Sequence, residues 1–188
     1  MTDPSRFTGL AEHMERHLGE VTHAQPPDLG GRNRGFAIGF HRHPEREMVS
    51  AASTGVRFQE VEARMPEGFV CSALPDQDFD ASYLVHVVAD RVVQSGKGHE
   101  YGGGYLNDEP LIPDTEVVGL MALPHPYMPD DFHIFRDEAG ASVLQVITLI
   151  PVTLLEYHFM REHDLQALVA HWRDKDTDIL DIHRPSAI

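Results

Sequence analysis

Histidines dominate the residues of this chain that could do chemistry: there are 13 in 188 residues. His13 and His17 stand four apart on a segment with helical periodicity, which is zinc-ligand spacing, but the intervening glutamate is Glu15 rather than a residue beside the first histidine. The metalloprotease arrangement is therefore missing, and a solvent-facing helix side accounts better for the pair. His41 and His43 alternate on an expected strand and could point to one side, as metal-binding pairs do. A third ligand would have to come from elsewhere, with His99, His183 or Glu45 as candidates, and an exposed strand end before Pro44 is the plainer reading. His158 and His163 are five apart and do not share a helix face. Gly96-Lys97-Gly98 followed by Gly102-Gly103-Gly104 lacks the phosphate-loop spacing and has no Ser or Thr after the lysine. Cys71, the single cysteine, lies between Val70 and Ser72 with no local base, so it reads as a small buried hydrophobe. The neighbours His99 and Glu100, and Asp108 and Glu109, could form acid–base pairs, although a chain this acidic produces such neighbours by chance. No catalytic residue and no cofactor are expected from these patterns, and the one metal alternative rests on His41 and His43.

Thirty acidic against fifteen basic residues give a formal charge of −15. That field repels phosphate backbones, which argues against direct nucleic-acid binding, and it attracts basic partners. The run from Val143 to Leu155 is interrupted by Gln145, two threonines and Pro151, so no stretch has membrane-spanning length. Met1 to Phe7 lacks the basic region and apolar run of a secretory signal, and a cytoplasmic location is the expectation. The length suits one domain over residues 1–188.

The elements that must position these residues can be placed by period. Asp3-Pro4 starts a helix whose stripe is Phe7, Leu10, Ala11, Met14 and Leu18, with Gly19 as its stop. Gln25–Gly35 is rich in turn formers and reads as a loop. Strands follow at Phe36–His43, Met48–Val56 and Phe69–Leu74, with partial alternation over Phe58–Arg64. Ser82–Val93 fits a helical stripe, and its length together with the stop at Ser95–Gly98 favours helix over strand. Tyr101–Pro113 reads as loop, Val117–Leu123 as strand, and Phe132–Arg136 with Val143–Ile150 as a hairpin. Pro151 is expected to end that last strand. Thr153 and Glu156 then make a capping box, with Val152 and Tyr157 as its hydrophobic staple. The helix that follows places Leu155 and Phe159 inward. Asp164 can cap a second helix carrying Leu165, Leu168, Val169 and Trp172, so this region is either one long helix or two short ones. Helices at both ends and in the middle with strands between them predict an α+β domain, a central mostly antiparallel or mixed sheet flanked by helices.

The junction "LQVITLIPVT-x-x-E", the stretch "EPLIPDTEVVGLMALP" and the closing "DILDIHRPS" resemble the carboxy-terminal half of the suppressor of fused domain. In the amino-terminal half, "MVSAASTGVRFQEV" takes the place of a threonine-serine-glycine-methionine strand and departs from it at several positions. The resemblance implies a non-catalytic protein-binding domain. Bacterial members of the family are largely regarded as immunity proteins, so it further implies a protein that binds and neutralises a cognate toxin, here a basic one such as a nuclease. Trp172 and Tyr157 are conceivable anchors, with core packing the preferred role for both. Two rivals stand beside this reading: a metal-dependent hydrolase using His41 and His43, and a regulatory scaffold without a toxin partner.

Overall fold

The computed structural model describes residues 3–188; Met1 and Thr2, the first residues of the expected 1–188 domain and of the segment read for a signal, lie outside it. Among the described residues the chain runs α1 (Leu10–Leu18), β1 (Glu20–Gln25), β2 (Asp28–Leu29), β3 (Arg32–Asn33), β4 (Ala37–Arg42), β5 (Val49–Thr54), β6 (Glu67–Ala73), α2 (Asp78–Ser95), β7 (Gly104–Leu106), β8 (Val117–Leu123), β9 (Ile134–Arg136), β10 (Ser142–Thr153), α3 (Leu154–His163) and α4 (Leu165–Asp174). The main sheet has the order β1-β4-β5-β6-β10-β8-β7, with β9 also paired to β10. It is mixed: β6 and β10 pair in parallel, and every other named pair in this sheet is antiparallel. The expected α+β architecture is what the chain adopts.

β10 is the spine of this sheet. Ile147 and Leu149 point to one face, where α2 lays Leu84, Val85, Val88 and Val92 against Phe36, Ile38, Phe69 and Cys71. Val146 points to the other face, beneath α1 with Leu10, Leu18 and Phe132. Ile150 and Val152 continue on that second face and meet Leu168 and Trp172 of α4. A strand covered on both faces needs no polar alternation, which explains why apolar residues occupy both of its faces.

Several local expectations are corrected. Pro151 does not end β10, which continues to Thr153 with Pro151 opposite Leu120 of β8. The Pro151 carbonyl accepts from Arg184 Nη2 at 3.1 Å, so this residue's polar edge faces away from β8. β6 pairs only with Gln145–Thr148, so at Pro151 that edge carries no ladder and no hydrogen bond is lost. The first helix is broken. Asp3 caps a single 3-10 turn over Pro4–Phe7, and Gly9, at φ 84°, re-aims the chain before α1.

Phe58–Arg64 is not a strand; Val56–Phe58 is a 3-10 turn, and Glu62 makes only an isolated bridge with Lys97. β1, the β2–β3 hairpin and β7 form where no strand or only loop was expected. β1 is polar and lies at an edge of the sheet, so pairing with β4 rather than its own sequence makes it a strand. After β10 the chain makes two helices, with the Thr153–Glu156 capping box closed in both directions and the Asp164 carboxylate accepting from Ala167 N–H at 2.9 Å. Leu155 does not turn inward: it is 54% exposed, while Phe159 packs beside Leu168 and Trp172.

Candidate functional site

The two histidine pairs do not assemble a metal site. His41 is buried, not at a surface strand end, and its Nδ1 lies 2.8 Å from the Gly19 carbonyl oxygen, fastening β4 to the end of α1. Gly19 is required there, because at φ 92° its backbone comes so close to Arg42 that an added Cβ would overlap the carbonyl. His43 lies beyond the strand, and its Nδ1 accepts from the Glu45 and Arg46 amides at 3.2 and 3.1 Å. Of the other ligands considered, His183 contacts Asp80, and His99 sits beside Glu67. Among the described residues, no group of three or more His, Cys, Asp or Glu side chains could hold a metal ion.

His13 and His17 are not on a solvent-facing side of α1. His17 is buried and half-buried His13 places its Nε2 3.0 Å from the Phe132 carbonyl oxygen. Their rings, with His125 and His133, surround the fully buried Phe132 at centroid separations of 5.4 to 6.1 Å. Removal from water lowers the pKa of His17 and His133, in each case as the largest cause.

A serine–histidine contact that the sequence does not advertise lies nearby. Ser50 and Ser72 hydroxyls are 2.6 Å apart, and Ser72 Oγ is 2.8 Å from His125 Nε2. The direction of these bonds decides what they can do. Tyr127 N–H donates to His125 Nδ1 at 3.2 Å, so in the neutral ring the proton sits on Nε2 and is donated to Ser72. A general base must accept from its nucleophile, and here the histidine donates. Burial, with smaller contributions from His133, Arg46 and His43, pushes His125 down to about 3, which keeps it in this neutral state. The contact is a buried cross-strand link. The Cys71 thiol is likewise fully buried and pushed up to about 12, first by desolvation, so it is not poised to react.

What folding does gather at the surface is acidic and aromatic. The segment 76–80, at the start of α2, and the tail 176–183 are zipped together. Gln77 Nε2 donates to Asp181 Oδ1 and Gln77 Oε1 accepts from Ile182 N–H, both at 2.7 Å. Leu74 N–H donates to the Leu180 carbonyl at 3.1 Å, and His183 Nε2 meets Asp80 Oδ2 at 2.6 Å. Asp76, Asp78 and Asp80 thereby join Asp178 and Asp181 around one end of α2. In the first two turns of this helix, Phe79, between Asp78 and Asp80, is 70% exposed and Tyr83 46% exposed. Phe79 touches the body of the domain edge-on through Phe40, at a centroid separation of 6.4 Å, and Phe40 in turn stacks on His23 at 4.0 Å. Large aromatics left this open beside a charged rim are uncommon on a monomer surface. Trp172, by contrast, is buried and donates through Nε1 to Glu156, so it is a core residue, while Tyr157 is half-buried on α3.

The family model for the suppressor of fused protein (SUFU) matches residues 22–185, and the chain belongs to that family. A putative SUFU homologue from Neisseria gonorrhoeae FA 1090 superposes with a TM-score of 0.65 at 16% identity, covering 97% of this chain and 94% of that one. A Sufu–Fu complex structure contains a chain that matches with a TM-score of 0.69 at 10% identity, covering 99% of this chain and 93% of that chain. Drosophila Suppressor of Fused matches at 0.68 and 11% identity, covering 100% of this chain but 54% of the fly protein. At these identities the solved structures speak for the fold alone. No curated protein matches the chain. No helix of the described residues is long and apolar enough to cross a membrane.

Proposed function

We propose that this chain is a non-catalytic protein-binding domain of the immunity type, which captures a basic toxin or effector in the cytoplasm and blocks it. The observation that carries the reading is the end of α2, where acidic residues from segments some hundred positions apart meet two exposed aromatic rings. Such a face supplies both halves of a strong interface. The carboxylates raise the encounter rate with a cationic partner, and Phe79 and Tyr83 supply desolvated contact area. The net charge of −15 favours basic partners over phosphate backbones. Membership of the SUFU family supports protein binding, as does a relative solved in a complex with Fu.

The hydrolase alternative loses its support because His41 and His43 are each engaged by backbone groups in different places. The test of the leading reading is coexpression with candidate toxins from the same organism, scored by rescue of growth and by copurification in a fixed ratio. A regulatory scaffold without a toxin partner would give copurification of another protein and no rescue.

A further inference from the structure

A cavity of about 360 Å³ lies under α1, on the face of the sheet opposite α2. Its floor exists because three adjacent strands carry small residues in register: Ala24 of β1 lies beside Gly39 of β4, which lies beside Ala52 of β5. A Cβ added at Gly39 would meet nothing closer than 3.7 Å, so the glycine leaves space rather than allowing a close backbone approach. Leu10 and Met14 of α1 form the roof, and Leu144 and Val146 of β10 one wall. The lining is mainly apolar with a few polar groups, and the volume falls within the range of about 300–1,000 Å³ typical of small-molecule sites.

Arg57 reaches this cavity from the 3-10 turn after β5. Its guanidinium carbon lies over Phe58 at 4.4 Å and over Phe7 at 5.1 Å, which fixes the group in place. Among the described residues it has one hydrogen bond, from Nη1 to Thr54 Oγ1 at 3.3 Å, and no carboxylate within ion-pairing distance. Its Nε is buried with no partner at all. A guanidinium held by one long hydrogen bond and facing no countercharge lacks acceptors for its remaining donors, and an anion in the cavity would provide one. Two carboxylates also line the space, Glu12 on the exposed side of α1 and Glu67 at the start of β6. Both Glu67 oxygens are taken by the His99 amide, at 3.1 and 2.9 Å.

We propose that the cavity beneath α1 binds a small amphiphile with an unbranched apolar body and a carboxylate head, the body lying on Ala52, Leu10 and Val146 and the head on Arg57. This site is separate from the acidic face of α2 and does not depend on the immunity reading. The probe is decanoate below its micellar concentration, titrated calorimetrically into the purified chain and compared with decanol and decyltrimethylammonium. The expected result is saturable one-to-one binding of decanoate, at least tenfold tighter than either comparison compound. Arg57→Gln should remove that preference while leaving weak decanol binding, and Gly39→Val, which fills the floor, should abolish binding of all three. No decanoate binding, decanol binding as tightly as decanoate, or an unchanged decanoate affinity in Arg57→Gln each overturns the proposal. Circular dichroism establishes that the variants are folded, and if Gly39→Val is not, the Arg57→Gln comparison decides alone.

Discussion

Arg184 grips both oxygens of Glu156, Nη1 to Oε1 at 2.7 Å and Nη2 to Oε2 at 3.1 Å, in a fully enclosed position. Glu156 is already committed to its own helix, since Oε2 accepts from the Thr153 amide at 2.9 Å. Oε1 also accepts from Trp172 Nε1 at 2.9 Å and from the Ala187 amide at 3.3 Å. One carboxylate therefore joins the β10–α3 junction, α4 and the chain's closing segment. Removing one partner strands the other as an uncompensated buried charge. Arg184→Met is expected to cost about 3–5 kcal/mol in urea unfolding, where a loss near zero would show that the pair is not holding the tail.

The pH dependence of that pair has a definite sign. Burial alone would raise the Glu156 pKa, but the Arg184 hydrogen bonds and charge, then the Thr153 and Trp172 donors, outweigh it and hold the carboxyl below its ordinary value. A depressed folded pKa means stability that is complete above the unfolded value of about 4.5 and is lost as pH falls through the folded one. The buried histidines add a loss that begins earlier. His125, pushed from 6.5 to about 3, stays neutral in the fold while the unfolded chain takes up a proton below pH 6.5. Stability should therefore fall from pH 6.5 downward by up to about 1.4 kcal/mol per pH unit for each such histidine. Urea midpoints between pH 7 and pH 5 measure this, and His125→Asn should flatten the slope.

Glu67 runs the other way. Burial raises its pKa to about 7, against a lowering by the His99 amide, so the fold keeps it protonated where the unfolded chain is ionised. Its contribution is complete below about 4.5 and disappears as pH rises through 7. Glu67→Gln, which retains an acceptor for the amide, should gain stability over the native chain at pH 8 and not at pH 4.5. Thermal unfolding at the two pH values gives the comparison.

Ser72 offers a direct check on whether its contact with His125 is structural. Ser72→Ala leaves the His125 Nε2–H without its acceptor, and a loss of about 1–3 kcal/mol in stability is expected. Partner capture by the folded variant should be unchanged, whereas abolished function in a stable variant would mean that the hydroxyl acts chemically.

The local parts of this structure were readable and the long-range ones were not. Thr153 and Glu156 lie within one turn of each other, so their capping box shows in the sequence. The α2 stripe was legible for the same reason. Pro151 misled because its tolerance depends on where the pairing between β6 and β10 ends, a fact that involves a strand some eighty residues earlier. His17 looked exposed because nothing near it reveals that Phe132 will cover it. The acidic face was hidden likewise: Asp80 and His183 meet across 103 positions, and Gln77 joins Asp181 across 104. Arg57 and Glu67 carried no motif, since what sets them apart is burial without a countercharge.

The central claim is that the open end of α2 is the working surface. The most direct measurement is growth rescue by the double variant Phe79→Ala, Tyr83→Ala, coexpressed with whichever candidate toxin the native chain is found to rescue in the coexpression test. Both side chains are substantially exposed, so the variant should keep the native urea midpoint. It should lose rescue, and its complex should weaken by about 2 kcal/mol or more, roughly thirtyfold. Full rescue at native affinity by this folded variant would contradict the account.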